Sequence, residues 1–212
     1  MIIKAGDRVL FQGDSITDTH RDRVADTLGT GYAYIVASLF SSLYPEKKVH
    51  FVNRGISGNQ IHDLEARWDE DCLDLKPDVL SIMIGINDCW RRYSRNLHTT
   101  TESFRDSYQR LLTRTRENLK DTKLILLDPF VVPALPGQEA WREDLDPKIQ
   151  VVRDLGREFG AVYVPLDGLF GAACARREPA YWAPDGVHPS PAGHGLIARA
   201  WLDAAGVSLS DL

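Results

Sequence analysis

The stretch Val9-Leu-Phe-Gln-Gly-Asp-Ser-Ile-Thr-Asp18 passes abruptly from apolar residues to small and polar ones. This change predicts a β-strand that ends in a turn and carries Ser15 just beyond its carboxyl end. Ligands of open α/β sheets bind beyond the carboxyl ends of the strands, so Ser15 lies where a reactive group is useful. A purely structural interpretation stays open, since Gly13-Asp14-Ser15 also suits a turn that caps the next helix.

Strand and helix patterns alternate from this stretch to the end of the chain. Short apolar runs predict four further strands, at residues 48–53, 78–85, 123–128 and 161–165. Apolar residues at helical spacing predict helices at residues 32–43, 61–75, 101–119 and 145–159. Ser190 followed by Pro191 predicts the start of a last helix that runs through Trp201. The proline-containing segment 129–147 is predicted to be a long loop.

This order of elements indicates an α/β fold with a parallel sheet and helices on both of its faces. The 212 residues contain no linker and no change in composition, so we expect a single domain over residues 1–212. Turns that follow neighbouring parallel strands share one edge of the sheet. We therefore expect Ser15, the loop at residues 55–59 and Asn87 to meet.

Composition narrows the classes of function and location. Twenty-five basic and thirty acidic residues give a net charge of −5, and no basic block suggests a nucleic-acid or membrane-surface partner. No apolar run has the length of a signal peptide or a membrane span, so we expect a cytoplasmic protein without a membrane partner. Cys72, Cys89 and Cys174 lack metal-binding spacing and are expected to be small buried thiols. We expect no cofactor, and the sequence leaves assembly into a homo-oligomer open.

A serine hydroxyl attacks an ester when a base removes its proton, and that base is usually a histidine oriented by a carboxylate. The stretch Pro184-Asp-Gly-Val-His-Pro189 offers such a pair, because Asp185 and His188 lie three residues apart in one turn. The alternative is a turn that leads into a helix and places His188 on the surface. The remaining histidines are expected to be surface or satisfied polar groups: His20, His50, His62, His98 and His194.

A tetrahedral intermediate also needs hydrogen-bond donors for its oxyanion. Gly58 offers a backbone N–H on a loop that ligands can approach closely, and Asn87 offers a side-chain amide at the end of strand 3. Both have a structural alternative, since Gly58 could simply shape a turn and Asn87-Asp88 could cap a helix. The joint placement of these residues with Ser15 favours a catalytic site.

Four short stretches, in this order, resemble the motif blocks of the SGNH (GDSL) hydrolases: Gly13-Asp14-Ser15, Gly55-Ile-Ser-Gly58, Gly85-Ile-Asn-Asp88 and Asp185-Gly-Val-His188. The resemblance implies that Ser15 is the nucleophile, His188 the base and Asp185 its orienting carboxylate. It also implies that Gly58, Asn87 and the Ser15 N–H bind the oxyanion. The implied fold is a flavodoxin-like three-layer α/β/α sandwich with a five-stranded parallel sheet.

From about Arg8 to about Asp203 the chain resembles one subgroup, the bacterial esterases that deacetylate xylooligosaccharides. The stretches that carry this likeness are Leu28-Gly-Thr-Gly-Tyr32, Asp63-Leu-Glu-Ala-Arg-Trp68, Ile82-Met-Ile-Gly-Ile-Asn-Asp88 and Ala192-Gly-His-Gly195. The resemblance implies a serine esterase that acts on acetyl esters of xylooligosaccharides or related carbohydrates. No Gly-x-Ser-x-Gly stretch is present, which removes the main support for an ordinary α/β-hydrolase.

Aromatic residues near the motifs are candidate sugar contacts, since sugar rings pack their C–H faces on aromatic rings. Trp90 and Tyr93 follow Asn87, and Tyr181-Trp182 precedes Asp185. Asp14, beside the nucleophile, completes the candidate substrate contacts. Packing in the core is the alternative role for each ring.

Three other functions stay open at this stage. A lysophospholipase or thioesterase would use the same chemistry with a long apolar acyl channel. A metal-dependent phosphoesterase would use Asp14, Asn87, Asp185 and His188 as ligands, although the sequence has no His-rich or paired-carboxylate motif and we expect no metal. A non-catalytic carbohydrate-binding domain would lack a member of the triad, and here all three are present.

Overall fold

A computed structural model of the protein describes residues 1–209. The strands are Arg8–Gly13 (β1), His50–Asn53 (β2), Val79–Met83 (β3), Lys123–Leu127 (β4) and Val162–Val164 (β5). They form one sheet in the order β2-β1-β3-β4-β5, and every neighbouring pair is parallel. The five predicted strands are confirmed. This order is the flavodoxin-like one, whose ligands bind at the switch point between β1 and β3.

Helices connect the strands and cover both faces of the sheet. They are Ser15–Asp18 (α1), Tyr32–Leu43 (α2), Ile61–Ala66 (α3), Ile86–Arg95 (α4), Thr101–Asn118 (α5), Arg142–Glu158 (α6), Leu166–Cys174 (α7), Pro179–Trp182 (α8) and Pro191–Ala204 (α9). The Ser190 side chain caps α9 by accepting the Gly193 N–H, as the sequence predicts. The sequence patterns missed α4, α7 and α8, and α4 follows the predicted third strand directly.

Alternate residues of the strands point to opposite faces of the sheet and build two cores. Val9 and Phe11 of β1 pack with residues of α2 and α9, whereas Leu10 packs with residues of α3 and α5. Trp201 of α9 is fully buried, and its indole N–H donates to Ser81 Oγ in β3 at 2.9 Å. Burial on both faces explains why β1 and β3 are continuous apolar runs in the sequence. The predicted three-layer α/β/α architecture is confirmed.

The predicted helix at 61–75 is interrupted in the structure. α3 ends at Ala66, and a wider π-helical turn follows at Asp69–Leu73. Arg67 lies at the break, where its guanidinium donates to Asn59 Oδ1 at 2.9 Å. This bond ties the end of α3 to the loop that follows β2. Helical spacing in the sequence does not reveal such a tertiary contact, so the single long helix was a wrong prediction.

The long loop predicted at 129–147 is confirmed for residues 129–137 and wrong for residues 138–147. A 3₁₀ turn forms at Gln138–Trp141, and α6 begins at Arg142, so that Pro147 lies inside a helix. Proline removes one helical hydrogen bond, here the one to the Glu143 carbonyl. Glu143 and Pro147 are both exposed, so water can hydrate that carbonyl. Burial of the opposite face of α6 therefore outweighs the cost of the proline.

Two expectations from composition concern the state of the cysteines and the presence of membrane-spanning helices. All three cysteines are free thiols; Cys72 and Cys89 are buried as expected, and Cys174 is only partly buried. No helix within residues 1–209 combines the length and the apolar character that crossing a membrane requires.

Candidate active site

The turn after β1 presents Ser15 as the first residue of α1. Asp14 caps this short helix, since its carboxylate accepts the Ile16 N–H at 3.0 Å. Gly13 tolerates no side chain, because a Cβ there would lie 2.3 Å from Thr17 Oγ1. The structural and the catalytic interpretation of Gly13-Asp14-Ser15 are therefore compatible. The same turn caps a helix and presents a hydroxyl group at the edge of the sheet.

Asp14 itself faces the interior of the protein. Only 1% of its surface is exposed, and burial raises the pKa of its carboxyl group to about 7. The structure places it beneath Ser15 as a helix cap. The sequence-based expectation that it contacts substrate gains no support from this position.

His188 and Asp185 lie in the turn that precedes α9 and reach Ser15 from the other end of the chain. His188 Nε2 is 2.8 Å from Ser15 Oγ, and His188 Nδ1 is 2.6 Å from Asp185 Oδ2. The other carboxylate oxygen of Asp185 accepts the backbone N–H groups of Val187 at 3.0 Å and His188 at 2.7 Å. Ser15, His188 and Asp185 thus form one chain of hydrogen bonds.

The charges in this hydrogen-bonded triad suit proton transfer from Ser15 to His188. The hydrogen bond that the His188 ring donates to Asp185 raises the pKa of His188 above its ordinary value. Burial alone would raise the pKa of Asp185, but hydrogen bonds from the His188 ring and from the N–H groups of His188 and Val187 lower it to about 2. A charged carboxylate therefore lies beside the imidazole at neutral pH. It stabilises the imidazolium that forms when His188 takes a proton from Ser15.

The predicted oxyanion donors lie on the loop after β2 and in the first turn of α4. Asn87 Nδ2 donates one hydrogen to the Asn59 carbonyl at 3.0 Å, which leaves its second amide hydrogen for a ligand. Gly58 adopts φ +82°, and across residues 1–209 its N–H donates to no protein acceptor. The Ser15 N–H opens the first turn of α1, where N–H groups have no partner inside the helix. All three donors lie in segments that follow the carboxyl ends of neighbouring strands, β1, β2 and β3.

Contacts that the sequence analysis missed hold the Gly58 loop in place. Arg91 Nη2 donates to the Gly58 carbonyl at 2.5 Å, which ties this loop to α4. Asp18 accepts both the N–H and the hydroxyl of Ser57, at 3.0 and 2.7 Å. The only signal for Arg91 in the sequence is its position four residues after Asn87, on the same face of α4.

A cleft of about 350 Å³ opens beside the nucleophile and is called here the polar cleft. Its walls include Ser15, Thr19, Ser57, His188 and His194. His194, predicted to be a surface or satisfied polar group, is a satisfied one: its Nδ1 accepts the Tyr32 N–H at 3.2 Å. Burial lowers the pKa of His194 to about 4, so the ring is neutral at physiological pH.

A second cleft, of about 360 Å³, is lined by Asp185 of the triad and is called the aromatic cleft. Its walls include Trp90, Tyr93, Leu135, Trp141 and Asp185. The centroid of the Trp90 ring lies 5.7 Å from the centroid of the His188 ring and 5.7 Å from that of Trp141. Tyr93 stacks on Trp141 at 5.5 Å, with an interplanar angle of 13°. Trp141 was not among the predicted site residues because it lies in the segment predicted to be a loop.

Trp182 does not line either of these two clefts. Its indole N–H donates to the Arg177 carbonyl at 3.3 Å, and its ring meets Tyr181 edge to face at 5.0 Å. The guanidinium of Arg177 lies 3.8 Å from the centroid of the Tyr181 ring. The structure therefore brings Trp90 and Tyr93 to the site and leaves the other two predicted aromatic residues in a separate cluster.

The residues proposed as ligands in the phosphoesterase alternative are engaged otherwise. Asp14 caps α1, Asn87 binds the Asn59 carbonyl, and Asp185 and His188 bind each other. Over the described part of the chain, no three His, Cys, Asp or Glu side chains are grouped so that they could hold a metal ion.

A hydrogen-bonded serine, histidine and aspartate at the carboxyl edge of a flavodoxin-like parallel sheet are the arrangement of a serine hydrolase. A model of the GDSL-like lipase/acylhydrolase family matches residues 11–196. The chain is 39% identical over 215 aligned positions to an acetylxylan esterase from Geobacillus stearothermophilus, with 97% of each protein covered. The chain therefore belongs to the GDSL-like lipase/acylhydrolase family, and it is a carboxylic ester hydrolase.

Solved structures agree with this assignment. A variant of an acetyl-xylooligosaccharide esterase from Geobacillus superposes with a TM-score of 0.92 at 38% identity, covering 99% of this chain and 98% of the other. An alpha/beta hydrolase from the metagenome of Lake Arreo, Spain, gives a TM-score of 0.89 at 34% identity, covering 97% and 98%. The acetylxylan esterase from Geobacillus stearothermophilus is also known as catalytic mutants in which a serine, an aspartate or a histidine is replaced by alanine. Such mutants support a serine nucleophile.

Proposed function

We propose that this esterase removes acetyl groups from short oligosaccharides, with acetylated xylooligosaccharides as its substrates, through an acyl-enzyme on Ser15. The observation that carries the proposal is the hydrogen-bonded chain of Ser15, His188 and Asp185 between a polar cleft and an aromatic cleft. The relatives that act on acetylated xylan and xylooligosaccharides support the substrate. We further propose that residues 1–212 act as a single domain.

In the proposed mechanism Ser15 Oγ attacks the ester carbonyl while His188 Nε2 takes the hydroxyl proton. The carbonyl oxygen becomes an oxyanion that accepts hydrogen bonds from Asn87 and from the N–H groups of Gly58 and Ser15. His188 then gives its proton to the departing sugar oxygen as the C–O bond breaks, which leaves acetyl-Ser15. Water, deprotonated by His188, attacks this ester; the bond between the acyl carbon and Ser15 Oγ breaks, His188 returns the proton to Oγ, and acetate is released.

The two clefts indicate where the parts of the substrate lie. Because His188 protonates the leaving oxygen, the sugar has to lie beside the His188 ring. Trp90 borders this ring and opens onto the aromatic cleft, so we assign the sugar to that side. The polar cleft, with Thr19, Ser57 and His194 in its walls, suits a short acyl group better than a long apolar chain.

A comparison of kcat/KM for esters with acyl groups of different length tests this proposal. A site that holds long chains gains about 1 to 3 kcal/mol per accommodated methylene, so it prefers longer esters by steps of roughly 10-fold or more. We expect the opposite order here, with kcat/KM falling from acetyl to butyryl to octanoyl aryl esters. We also expect the enzyme to release acetate from acetylated xylooligosaccharides. A preference for octanoyl esters, or no release from the sugar, would favour a lysophospholipase or thioesterase.

Two tyrosine variants test the assignment of the sugar to the aromatic cleft. Tyr93→Ala should lower kcat/KM for the acetylated oligosaccharide about fivefold more than for an aryl acetate, since ring packing contributes about 1 kcal/mol. Tyr34, an exposed tyrosine on α2 outside both clefts, is the matched control. Tyr34→Ala should leave both activities at the parental level. Equal losses on both substrates in Tyr93→Ala would contradict the assignment of the aromatic cleft to sugar.

The pKa of His188 sets the acid side of the pH profile. A base has to be neutral, so kcat/KM falls as the pH drops through the pKa of His188 in the free enzyme. The Asp185 hydrogen bond raises this pKa above the ordinary value of about 6.5, so the midpoint of the acid limb should lie above about pH 6.5. A profile of kcat/KM on an aryl acetate measures it. Activity that stays flat from about pH 4 to 8 would rule out His188 as the base.

Asn87→Ala removes one proposed oxyanion donor. A donor of this kind is typically worth about 3 to 4 kcal/mol, so kcat should fall about 10²- to 10³-fold while KM changes less. The variant also loses the bond to the Asn59 carbonyl, and circular dichroism and thermal unfolding should confirm that it folds. An unchanged kcat in the folded variant would leave Asn87 with a structural role in the first turn of α4.

A cytoplasmic location completes the proposal. The structure pairs none of its cysteines, which is typical of proteins in a reducing compartment. In such a compartment the available substrates are imported oligosaccharides, because polymeric xylan does not enter. Cell fractionation with an antibody against the chain tests the location, and recovery in the culture medium would contradict it.

A further inference from the structure

The segment between β4 and α6 lies beside the triad turn, and one of its side chains contacts that turn. Gln138, in the 3₁₀ turn that ends this segment, has only 4% of its surface exposed. Its Nε2 donates to the backbone carbonyl of Asp185 at 2.7 Å. Its Oε1 accepts the N–H groups of Ala134 at 3.0 Å and Leu135 at 2.9 Å. The two bonds to Oε1 therefore fix the Gln138 amide, and its Nε2 binds Asp185, the residue that orients His188.

A second bond docks the same turn on the same segment. The Val132 N–H donates to the Gly186 carbonyl at 3.0 Å, one residue after the carbonyl that Gln138 binds. Gly186 has φ +83°, and a Cβ there would lie 2.3 Å from Gln138 Oε1. The Asp185–Gly186 backbone thus packs directly against the Gln138 amide. The close fit requires a glycine at position 186.

Asp185 needs such support because burial does not confine it. Its side chain is 40% exposed, so its direction depends on the hydrogen bonds of the turn. Those bonds lie within residues 185–188 themselves, so they set the direction of the carboxylate inside the turn and do not tie the Asp185 backbone to the rest of the protein. The Gln138 and Val132 bonds connect the turn to the segment that follows β4, one of the strands of the central sheet.

We propose that Gln138 is a positioning residue that holds the Asp185 turn so that the carboxylate stays on His188 Nδ1 while His188 Nε2 faces Ser15. The proposal rests on the catalytic roles proposed above for Ser15, His188 and Asp185. It does not depend on the identity of the sugar. Gln138 touches no reacting atom and acts through Asp185.

The first experiment uses Gln138→Met, which keeps the volume of the side chain and removes its three hydrogen bonds. We expect kcat on an aryl acetate to fall about 10- to 100-fold, because small displacements of a catalytic group have effects of this size. Gln138 also lines the aromatic cleft, but Met keeps the volume of the side chain, so KM for the aryl acetate should change by no more than about twofold. The rate at which a fluorophosphonate labels Ser15 should fall by the same factor as kcat. A folded variant with parental kcat would overturn the proposal.

A double-mutant cycle separates positioning from general weakening of the fold. In an Asp185→Asn background there is no carboxylate to position, so adding Gln138→Met should slow the labelling of Ser15 by less than about twofold. A further loss as large as that seen in the parent would assign Gln138 to structure alone. Parental enzyme that is not labelled at Ser15 would instead refute the proposed function itself.

Two more variants complete the experiment. Gln138→Glu retains acceptors for Ala134 and Leu135, which preserves the local turn, but an ionised carboxylate cannot donate to the Asp185 carbonyl. It should reproduce the loss in kcat at about pH 9 even if Gln138→Met fails to fold, and parental kcat there would overturn the proposal. Thr115→Val is the control for loss of a buried hydrogen bond. Thr115 lies on the buried face of α5, and its hydroxyl accepts the Trp68 indole N–H. It should lower the thermal midpoint and leave kcat unchanged.

Discussion

Ser15→Ala should lower kcat on an aryl acetate by about 10⁶-fold, the loss found when the nucleophile of a serine hydrolase triad is removed. The loss is this large because the serine, histidine and aspartate act as one unit: without Oγ, the proton acceptor His188 Nε2 at 2.8 Å has no hydroxyl to activate. The fold should be retained, since the cap of α1 depends on Asp14 and not on the Ser15 hydroxyl. Steady-state kinetics on protein free of contaminating esterase would measure the loss.

A labelling experiment identifies the nucleophile independently. A fluorophosphonate followed by peptide mapping should modify the parental enzyme at Ser15 and leave Ser15→Ala unlabelled. Ser42→Ala is the matched control, because Ser42 is an exposed serine on α2 whose hydroxyl only binds the Leu39 carbonyl. That variant should be labelled at the parental rate. Modification of any residue other than Ser15 would refute the acyl-enzyme mechanism.

Asp185→Asn should lower kcat by about 10⁴-fold while the protein stays folded. The amide oxygen of asparagine can still accept the Val187 and His188 N–H groups, so the turn keeps its shape. The amide carries no negative charge, however, and its NH₂ group can donate to His188 Nδ1. The ring then holds its proton on Nε2, where it can no longer accept the proton of Ser15.

The pH dependence and a matched control make this prediction specific. Without the carboxylate, the pKa of His188 should fall, because the Asp185 hydrogen bond is the main cause that raises it. The acid limb of the residual activity should therefore move to lower pH. Asp146→Asn is the control, since Asp146 is an exposed carboxylate that pairs with Arg142 on α6. A loss in kcat as small as that of the control would remove Asp185 from the catalytic unit.

Much of this site could be predicted because its parts follow local rules. Ser15, Gly58 and Asn87 each come just after an apolar strand, and parallel strands bring their carboxyl ends to one edge. Asp185 and His188 are three residues apart, so one turn is enough to join the carboxylate to the ring.

The predictions that failed concerned elements whose shape depends on distant contacts. The proline at 147 suggested a loop, but the buried face of α6 keeps the helix intact around it. Spacing suggested one helix over residues 61–75, but α3 stops at Ala66, next to the Arg67 bond to the loop after β2. In both cases a local pattern was overridden by packing between elements far apart in the chain.

From its sequence alone, this chain determines its alternation of strands and helices, its parallel sheet and the placement of Ser15 and Asp185-Gly-Val-His188 at loop positions. These features depend on residue periodicity and turn chemistry, which act over a few neighbouring residues. The tertiary structure alone decided which aromatic rings border His188 and that Gln138 binds the Asp185 carbonyl from 47 residues away. Such contacts depend on how helices and loops pack across the sheet, and no local pattern of residues records that packing.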